Sequence, residues 1–445
     1  MYANLYYVIK DWFGLELKPM MFLNTFGLMV AISFVISAAV IALELKRKEK
    51  LGLLFPREEW ILVGEPASWG DLLMNFITGF LFGYKMLGLF FAKPEEVSPQ
   101  DYIFSSSGSW LGGLLLGGLL AGMKWREKKK QQLPVPEKRS VRIWPHDRVG
   151  DIVIISLIAG ILGAKLFDNF ENWDDFIQHP MERIFSAGGL TFYGGLIVAT
   201  IAVIWFAIKK NIPVIHLADS IAPAMMLAYA LGRIGCQVSG DGDWGIYNSA
   251  YITSANGKIE LATPASFQAN LNANSTYFLE GKVYDSSLRK LMPVTDRKSE
   301  TLEKVPHLSI QAPKWLPVWL FAYNYPQNVN KDGVPIPGIT DEHNRVLPSP
   351  VFPTPLYETL ICGFFFLVLW AIRKKIKVAG LMSGIYLFLN GFERFAVEKI
   401  RVNNVTSFFG IHLSQAEIIS FCLMLAGIGL STWALMRKAK KQKKI

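Results

Sequence analysis

Apolar residues in this chain come in long runs separated by charged loops, the pattern of helices that cross a membrane. Nine runs predict spans: 21–43, 71–91, 110–123, 151–167, 189–208, 215–231, 355–372, 380–397 and 413–436. Most approach the roughly 20 residues that a ~30 Å hydrocarbon core requires. The third is short, and the fourth and eighth carry charges. The expected fold class is an all-α polytopic membrane protein of about nine transmembrane helices, with a small extracytoplasmic domain. The first run is long enough to span and lacks a basic leader, so no cleavable signal peptide is expected.

Charge orients this scheme. Basic clusters follow the first span (Lys46-Arg47-Lys48), the third (Lys124 to Arg148), the fifth (Lys209-Lys210), the seventh (Arg373-Lys374-Lys375) and the ninth (Arg437 to Lys444). With nine spans all of them fall on one side, which the positive-inside rule makes cytoplasmic. The N-terminus is then periplasmic and the C-terminus cytoplasmic. Composition agrees with a membrane protein: 51% of the 445 residues are hydrophobic and mean hydropathy is +0.28. The net charge of +10 reflects topology and affinity for anionic lipid. It does not point to nucleic acid, because the basic residues are spread over loops. Cys362 and Cys422 lie in apolar spans as packing residues, and no Cys/His spacing suits a metal. No cofactor is expected.

Two stretches repeat. Asp71 and Lys85 are 14 residues apart, as are Asp151 and Lys165. Each pair sits in a Gly-flanked span followed by an outside loop and a similar re-entry, Trp110-Leu111-Gly112-Gly113 against Phe192-Tyr193-Gly194-Gly195. We read a duplicated two-span hairpin. Both copies run in the same direction, unlike an inverted transporter repeat. Residues 246–350 form a long polar loop in which ten Lys/Arg face nine Asp/Glu. Alternating runs at 245–252 and 276–284 predict strands there. An aromatic stretch from Trp315 to Tyr323 suits a bilayer interface. The chain thus divides into 1–70 (first span), 71–149 (extra hairpin and basic loop), 150–245 (spans four to six), 246–350 (insertion) and 351–445 (last spans and basic tail).

Chemistry concentrates after the sixth run, in Gly232-Arg233-Ile234-Gly235-Cys236-Gln237-Val238-Ser239-Gly240-Asp241-Gly242-Asp243-Trp244-Gly245. A charge at membrane depth costs at least ~2.5 kcal/mol and is kept where it faces a bundle interior or a polar cavity. Irregular Gly-rich backbone at that depth must also line a cavity. The pattern fits an anion site at the membrane surface, or an arginine that snorkels beside a plain loop. The eighth span carries Glu393, Arg394 and Glu398, followed by Arg401. Arg394 and Glu398 share a helix face and can pair, whereas Glu393 falls off that face and Arg401 beyond the span. Such a pair is either structural, or part of a clamp in which Arg394 and Arg233 converge on one anion with Glu398 orienting a guanidinium. The planar, permanently charged guanidinium suits phosphate better than an ammonium does.

These residues resemble the signature of bacterial prolipoprotein diacylglyceryl transferases. Supporting matches are Phe26-Gly27-Leu28-Met29, Gly188-Gly189-Leu190-Thr191-Phe192-Tyr193-Gly194-Gly195, Asp219-Ser220-Ile221-Ala222-Pro223, Pro353-Thr354-Pro355-Leu356-Tyr357-Glu358 and Arg394-Phe395-Ala396-Val397-Glu398. The extra hairpin and much of the 246–350 loop lie outside the family pattern, which normally has seven spans. The resemblance implies that a diacylglyceryl group moves from phosphatidylglycerol to the lipobox cysteine thiol of a prolipoprotein signal peptide, forming a thioether and releasing glycerol phosphate. It implies a bacterial inner-membrane location, catalytic roles for Arg233, Arg394, Tyr193, Glu398 and Asp241, and a lipid site that includes Arg233, Gly194, Gly195 and Phe26. Cys236, Gln237, Asp243 and Gly245 belong to that site as motif residues. The family usually has histidine at Tyr193, asparagine at Cys236, glutamate at Asp241, tyrosine at Phe26 and histidine at Phe352. One extra residue precedes Gly245, so Asp243 competes with Asp241 for the glutamate's place. Tyrosine, with an ordinary pKa of ~10, is a poor base at neutral pH. Tyr193 therefore either takes the thiol proton or only donates a hydrogen bond to lipid. The alternative is a diverged relative that binds anionic phospholipid without transferring it.

Overall fold

The chain, in a computed structural model, is mostly helical; described are residues 1–90, 102, 105–186, 189–279, 283–285, 290–292, 299, 301–402, 405–408 and 411–442. Gly188 of the signature, Phe91 of the second predicted span, and Lys443 and Lys444 of the tail lie outside the described residues. The main helices are α1 (Leu5–Phe13), α2 (Thr25–Lys50), α3 (Trp69–Gly88), α4 (Trp110–Gln131), α5 (Val149–Glu171), α6 (Phe192–Lys209), α7 (Val214–Ser239), α8 (Thr354–Ile372), α9 (Leu381–Glu398) and α10 (Gln415–Gln442). Each of the nine predicted spans falls largely on a helix among the described residues. Among the described residues six helices are long and apolar enough to cross a membrane: α2, α5 with its leading turn, α6, α7, α8 and α10. The other three are interrupted by polar groups: Asp71, Asn75 and Lys85 in α3, the basic run after Met123 in α4, and Glu393, Arg394 and Glu398 in α9.

Two compact units emerge: Met1–Ala3 with Thr25–Leu54 and Val149–Ile445, and Asn4–Asn24 with Phe55–Arg148. The second unit holds α1, α3, α4 and an antiparallel pair, β1 (Arg57–Val63) and β2 (Glu137–Ile143). Helices α3 and α4 start where a serine can cap them. The Ser68 hydroxyl accepts from the Asp71 backbone N–H, and that of Ser109 from Gly112.

The duplication read from sequence is visible in packing. In the second unit α3 meets α4 through glycine, and a Cβ on Gly112 would lie 2.6 Å from the Gly83 carbonyl oxygen. In the first unit α5 meets α6 in the same way, and a Cβ on Gly194 would lie 2.7 Å from the Gly163 carbonyl oxygen. The loops close with matching backbone bonds, Ser109 N–H to Tyr84 O at 2.8 Å and Thr191 N–H to Ala164 O at 3.1 Å. The paired lysines do the same work. Lys85 donates to the carbonyls of Tyr102, Ser105 and Ser107, and Lys165 to the carbonyl and hydroxyl of Ser186. Lipid supplies no hydrophobic drive between helices, so close backbone approach at small residues takes its place.

In the first unit one apolar cluster joins α2, α5, α6 and α7 around Leu45, Ile152, Ala207 and Leu217. Another joins α7, α8 and α9 around Met226, Cys362 and Met382. Residues 246–350 pack with Trp244 around a separate core, in which Tyr247, Phe267, Phe278 and Tyr325 are buried. The strand expected at 245–252 is present as Tyr247–Asn248 and Tyr251–Thr253. The one expected at 276–284 is present only at its end: Ser275–Leu279 is helical, whereas Val283–Asp285 is a strand paired with Lys290–Met292. The N-H of Phe278 bonds back to the Asn274 carbonyl, which continues the preceding helical turn.

Candidate functional site

Helix α7 ends because Gly240 takes a left-handed conformation, φ +65°, its N–H bonding to the Cys236 carbonyl at 3.0 Å. The chain then turns away from the helix axis. The N–H of Ile246 bonds to the Ile400 carbonyl at 2.9 Å, and that of Gly245 to Phe352 O at 2.8 Å. A Cβ on Gly245 would come within 2.6 Å of the Ile400 carbonyl, so glycine is required for this close passage. Trp244 stacks on Tyr325 at 4.6 Å, and the Tyr325 hydroxyl donates to Gln237 Oε1 at 2.8 Å. The loop is thus strapped to the turn after α9, which places Asp243 beside Arg401.

Three arginines meet there around one carboxylate. Glu358, in α8, is wholly buried. Its oxygens lie 2.8 Å from Arg233 Nε, 3.1 Å from Arg394 Nη1 and 3.8 Å from Arg401 Nη1. Tyr229 donates its hydroxyl to the same carboxylate at 3.1 Å, and its ring lies 5.3 Å under the Arg233 guanidinium. Asp243 bridges the outer side, bonded to Arg233 Nη1 and to Arg401 Nη2, the latter at 2.8 Å. Arg394 also pairs with Glu398 at 3.3 Å, and Glu398 accepts from the Ser414 hydroxyl at 2.7 Å. Three guanidinium groups therefore face three carboxylates, which offsets the desolvation that would otherwise forbid them. The carboxylates are not equivalent. Glu358 and Glu398 are 0% and 2% exposed behind the arginines, whereas Asp243 is 37% exposed in front of them.

Burial opposes ionisation of Asp243, but Arg233 and Arg401 outweigh it and hold its carboxyl well below the usual carboxylate range. A carboxyl depressed on folding adds stability above its unfolded value of ~4 and loses it as pH falls through the folded value. The bridge is therefore intact at neutral pH. Burial pushes the Asp241 carboxyl upward. Among the described residues Asp241 has no ion-pair partner, and its carbonyl accepts from Asn330.

Four residues seen in the sequence come together: Arg233, Arg394, Glu398 and Asp243. Tyr193, in the first turn of α6, lies within electrostatic reach of Arg394 and Glu398. Phe26 begins α2 and packs on Gly235, with 38% of its surface exposed. Cys236 is buried, and its Sγ accepts from Arg233 Nη1 at 3.6 Å. Cys236, Asp241 and Asp243 bring ligand atoms within 4.8 Å of one another, but the Arg233 guanidinium is the cation that contacts two of them.

Gly194 and Gly195 lie in the first turn of α6. Their Cα atoms face α5, where a Cβ on Gly195 would lie 2.9 Å from the Gly160 carbonyl, so they are seam residues. Glu393, off the face shared by Arg394 and Glu398, is wholly buried, and among the described residues neither of its carboxylate oxygens has a hydrogen-bond partner. Sequence reasoning also passed over Glu358, Arg401 and Tyr229. The available signal was a lone glutamate within an apolar run, and an arginine three residues after Glu398.

A family model described as prolipoprotein diacylglyceryl transferase matches residues 109–433. The chain belongs to this family. Curated relatives agree at low identity. The phosphatidylglycerol–prolipoprotein diacylglyceryl transferase of Burkholderia cenocepacia is 23% identical over 74% of this chain and 92% of its own length. Those of Aliivibrio fischeri and Vibrio vulnificus are 23% and 24% identical over 74% and 76% of the chain, and 84% and 92% of their own lengths. The protein is a multi-pass inner-membrane transferase of lipoprotein biosynthesis. The three arginines and Glu358 all lie within the matched span, whereas α1, α2 and α3 precede it.

Proposed function

We propose that this transferase moves the diacylglyceryl group of phosphatidylglycerol onto the lipobox cysteine of a prolipoprotein, with the arginine cluster receiving the phosphate. The observation that carries this reading is the convergence of Arg233, Arg394 and Arg401 on buried Glu358. The thiolate sulfur attacks the glyceryl carbon that bears the phosphate. The carbon–oxygen bond breaks, its electron pair stays on the phosphate oxygen, and glycerol phosphate leaves with one more negative charge. Preorganised guanidinium groups, largely withdrawn from water, stabilise that developing charge. Glu358 and Glu398 hold the guanidinium planes, and Asp243 yields its place to the phosphate. Asp243, rather than Asp241, takes the position of the family's glutamate. The site faces the periplasm and the basic loops face the cytoplasm.

The test is complementation of a strain depleted of its own transferase, with mass analysis of a reporter lipoprotein. The expected product is a cysteine carrying one diacylglyceryl adduct. An unmodified cysteine in cells that contain the membrane-inserted protein would favour the second reading, lipid binding without transfer. That reading draws on Tyr193, which stands where the family has histidine.

Tyr193→Phe examines the thiol proton. If the hydroxyl takes or relays it, turnover should fall about 10²-fold. The loss should shrink as pH rises, because a thiol of pKa ~8.5 increasingly ionises unaided. A change in KM alone, flat across pH, would assign the hydroxyl to lipid orientation. Unchanged kinetics at every pH would remove Tyr193 from the mechanism.

A further inference from the structure

At the end of α7 away from the arginine cluster, α2, α7 and the turn between α8 and α9 line a cavity of about 500 Å³. Asp219, on its wall, is 14 residues before Arg233 on α7, or about 21 Å along the helix. Four cations line it: Arg47 and Lys48 from the end of α2, and Lys374 and Lys377 from the turn between α8 and α9. Arg47 is matched by Glu44. The lining carboxylate, Asp219, is already engaged by the N–H groups of Gly380 and Ser383, at 2.7 and 2.9 Å, and by the Ser383 hydroxyl at 2.8 Å.

Lys48 is the unusual member. It is 5% exposed, and its ammonium donates to the His216 carbonyl at 2.7 Å. Among the described residues it has no carboxylate at ion-pair distance, and neither have Lys374 and Lys377. A buried ammonium held off ion-pair contact, with Asp219 and Glu44 acting on it only through space, is costly, and a nearby carbonyl offsets only part of that cost. The cavity is thus built with an excess of positive charge that awaits an anion. Its rim is apolar: Leu51 and Leu53 are 59% and 39% exposed beside Lys48. Cations at the floor with leucines at the rim match a phosphate headgroup followed by acyl chain, and basic pockets between spans hold anionic headgroups in this way.

We propose that this cavity is a second lipid site, which binds the headgroup of an anionic phospholipid from the leaflet opposite the transfer site. The bound phosphate ties Lys48 on α2 to Lys374 and Lys377 beyond α8. It braces the far ends of helices that present Phe26, Arg233, Glu358 and Arg394.

Native mass spectrometry of the full chain in detergent tests this by counting bound lipids. Arg233→Ala, which unties the phosphate position and the signature loop together, serves as the background, so that lipid held by the transfer site is removed and the outcome does not depend on the transfer reading. Phosphatidylglycerol should still bind this variant, and phosphatidylcholine of the same acyl chains should not. Adding K374Q and K377Q, both at exposed positions, should weaken binding about 30-fold. Lys48→Gln should weaken it further. Undiminished binding in the K374Q/K377Q protein would overturn the site. Full competition by inorganic phosphate at the same concentration as lipid would overturn the lipid assignment in favour of a free-anion pocket.

Discussion

Glu358→Gln is expected to collapse both stability and transfer, although it alters one atom and preserves volume. The carboxylate is wholly buried and answers Arg233, Arg394 and, at longer range, Arg401. An amide offers one acceptor oxygen, and its NH₂ would confront guanidinium N–H groups. Three largely withdrawn positive charges would then have, among the described residues, only Asp243 and Glu398 at ion-pair distance. Removing one partner of a buried ion pair costs about 3–5 kcal/mol, mostly the desolvation of the charge left behind. Glu393→Gln supplies the control. That residue is as deeply buried and belongs to the same unit, but among the described residues its oxygens have no hydrogen-bond partner. A neutral amide should cost it little. Thermal unfolding in detergent compares the two. Equal melting of the variants, or a Glu358→Gln protein with normal turnover, would remove Glu358 from the centre of the site.

The sequence made some of this legible and concealed the rest for physical reasons. Arg233 and Arg394 stood out because a charge inside an apolar run is expensive, and Arg394 with Glu398 because four residues make one helix turn. Glu358 was harder to see: its partners are 125 residues before it and 36 after it, so no local spacing announces them. Arg401 lies beyond the helix end, and only the strap from Ile246 to Ile400 brings it to Asp243. Gly194 and Gly195 show a different limit. Glycine allows close approach of a ligand or of another helix, and the two uses look alike in one dimension. The duplicated hairpin was legible because its spacing and its lysines repeat together. The span at 380–397 reads ambiguously for the reason that makes α9 informative: its charges lower its hydropathy while they build the site.

Arg233→Ala and Arg394→Ala should each lower turnover by 10²–10³-fold while the protein remains in the membrane. Removing one donor to a developing oxyanion costs roughly 2.7–4 kcal/mol in comparable sites. The two losses should differ in kind. Arg233 reaches Glu358 through Nε and Asp243 through Nη1, so its removal unties the signature loop as well as the phosphate position. Arg394 is tied to Glu358 and Glu398, both of them behind it, and its loss should spare the loop. Arg394→Ala should therefore act chiefly on kcat, and Arg233→Ala on kcat and KM together. Arg233→Lys refines the point. An ammonium keeps the charge but cannot present the two-pronged face that Glu358 and Asp243 now grip, so lysine should restore little. Steady-state kinetics with phosphatidylglycerol and a lipobox peptide reads all three variants. Near-normal turnover in either alanine variant would refute the arginine clamp, and full rescue by lysine would reduce Arg233 to a point charge.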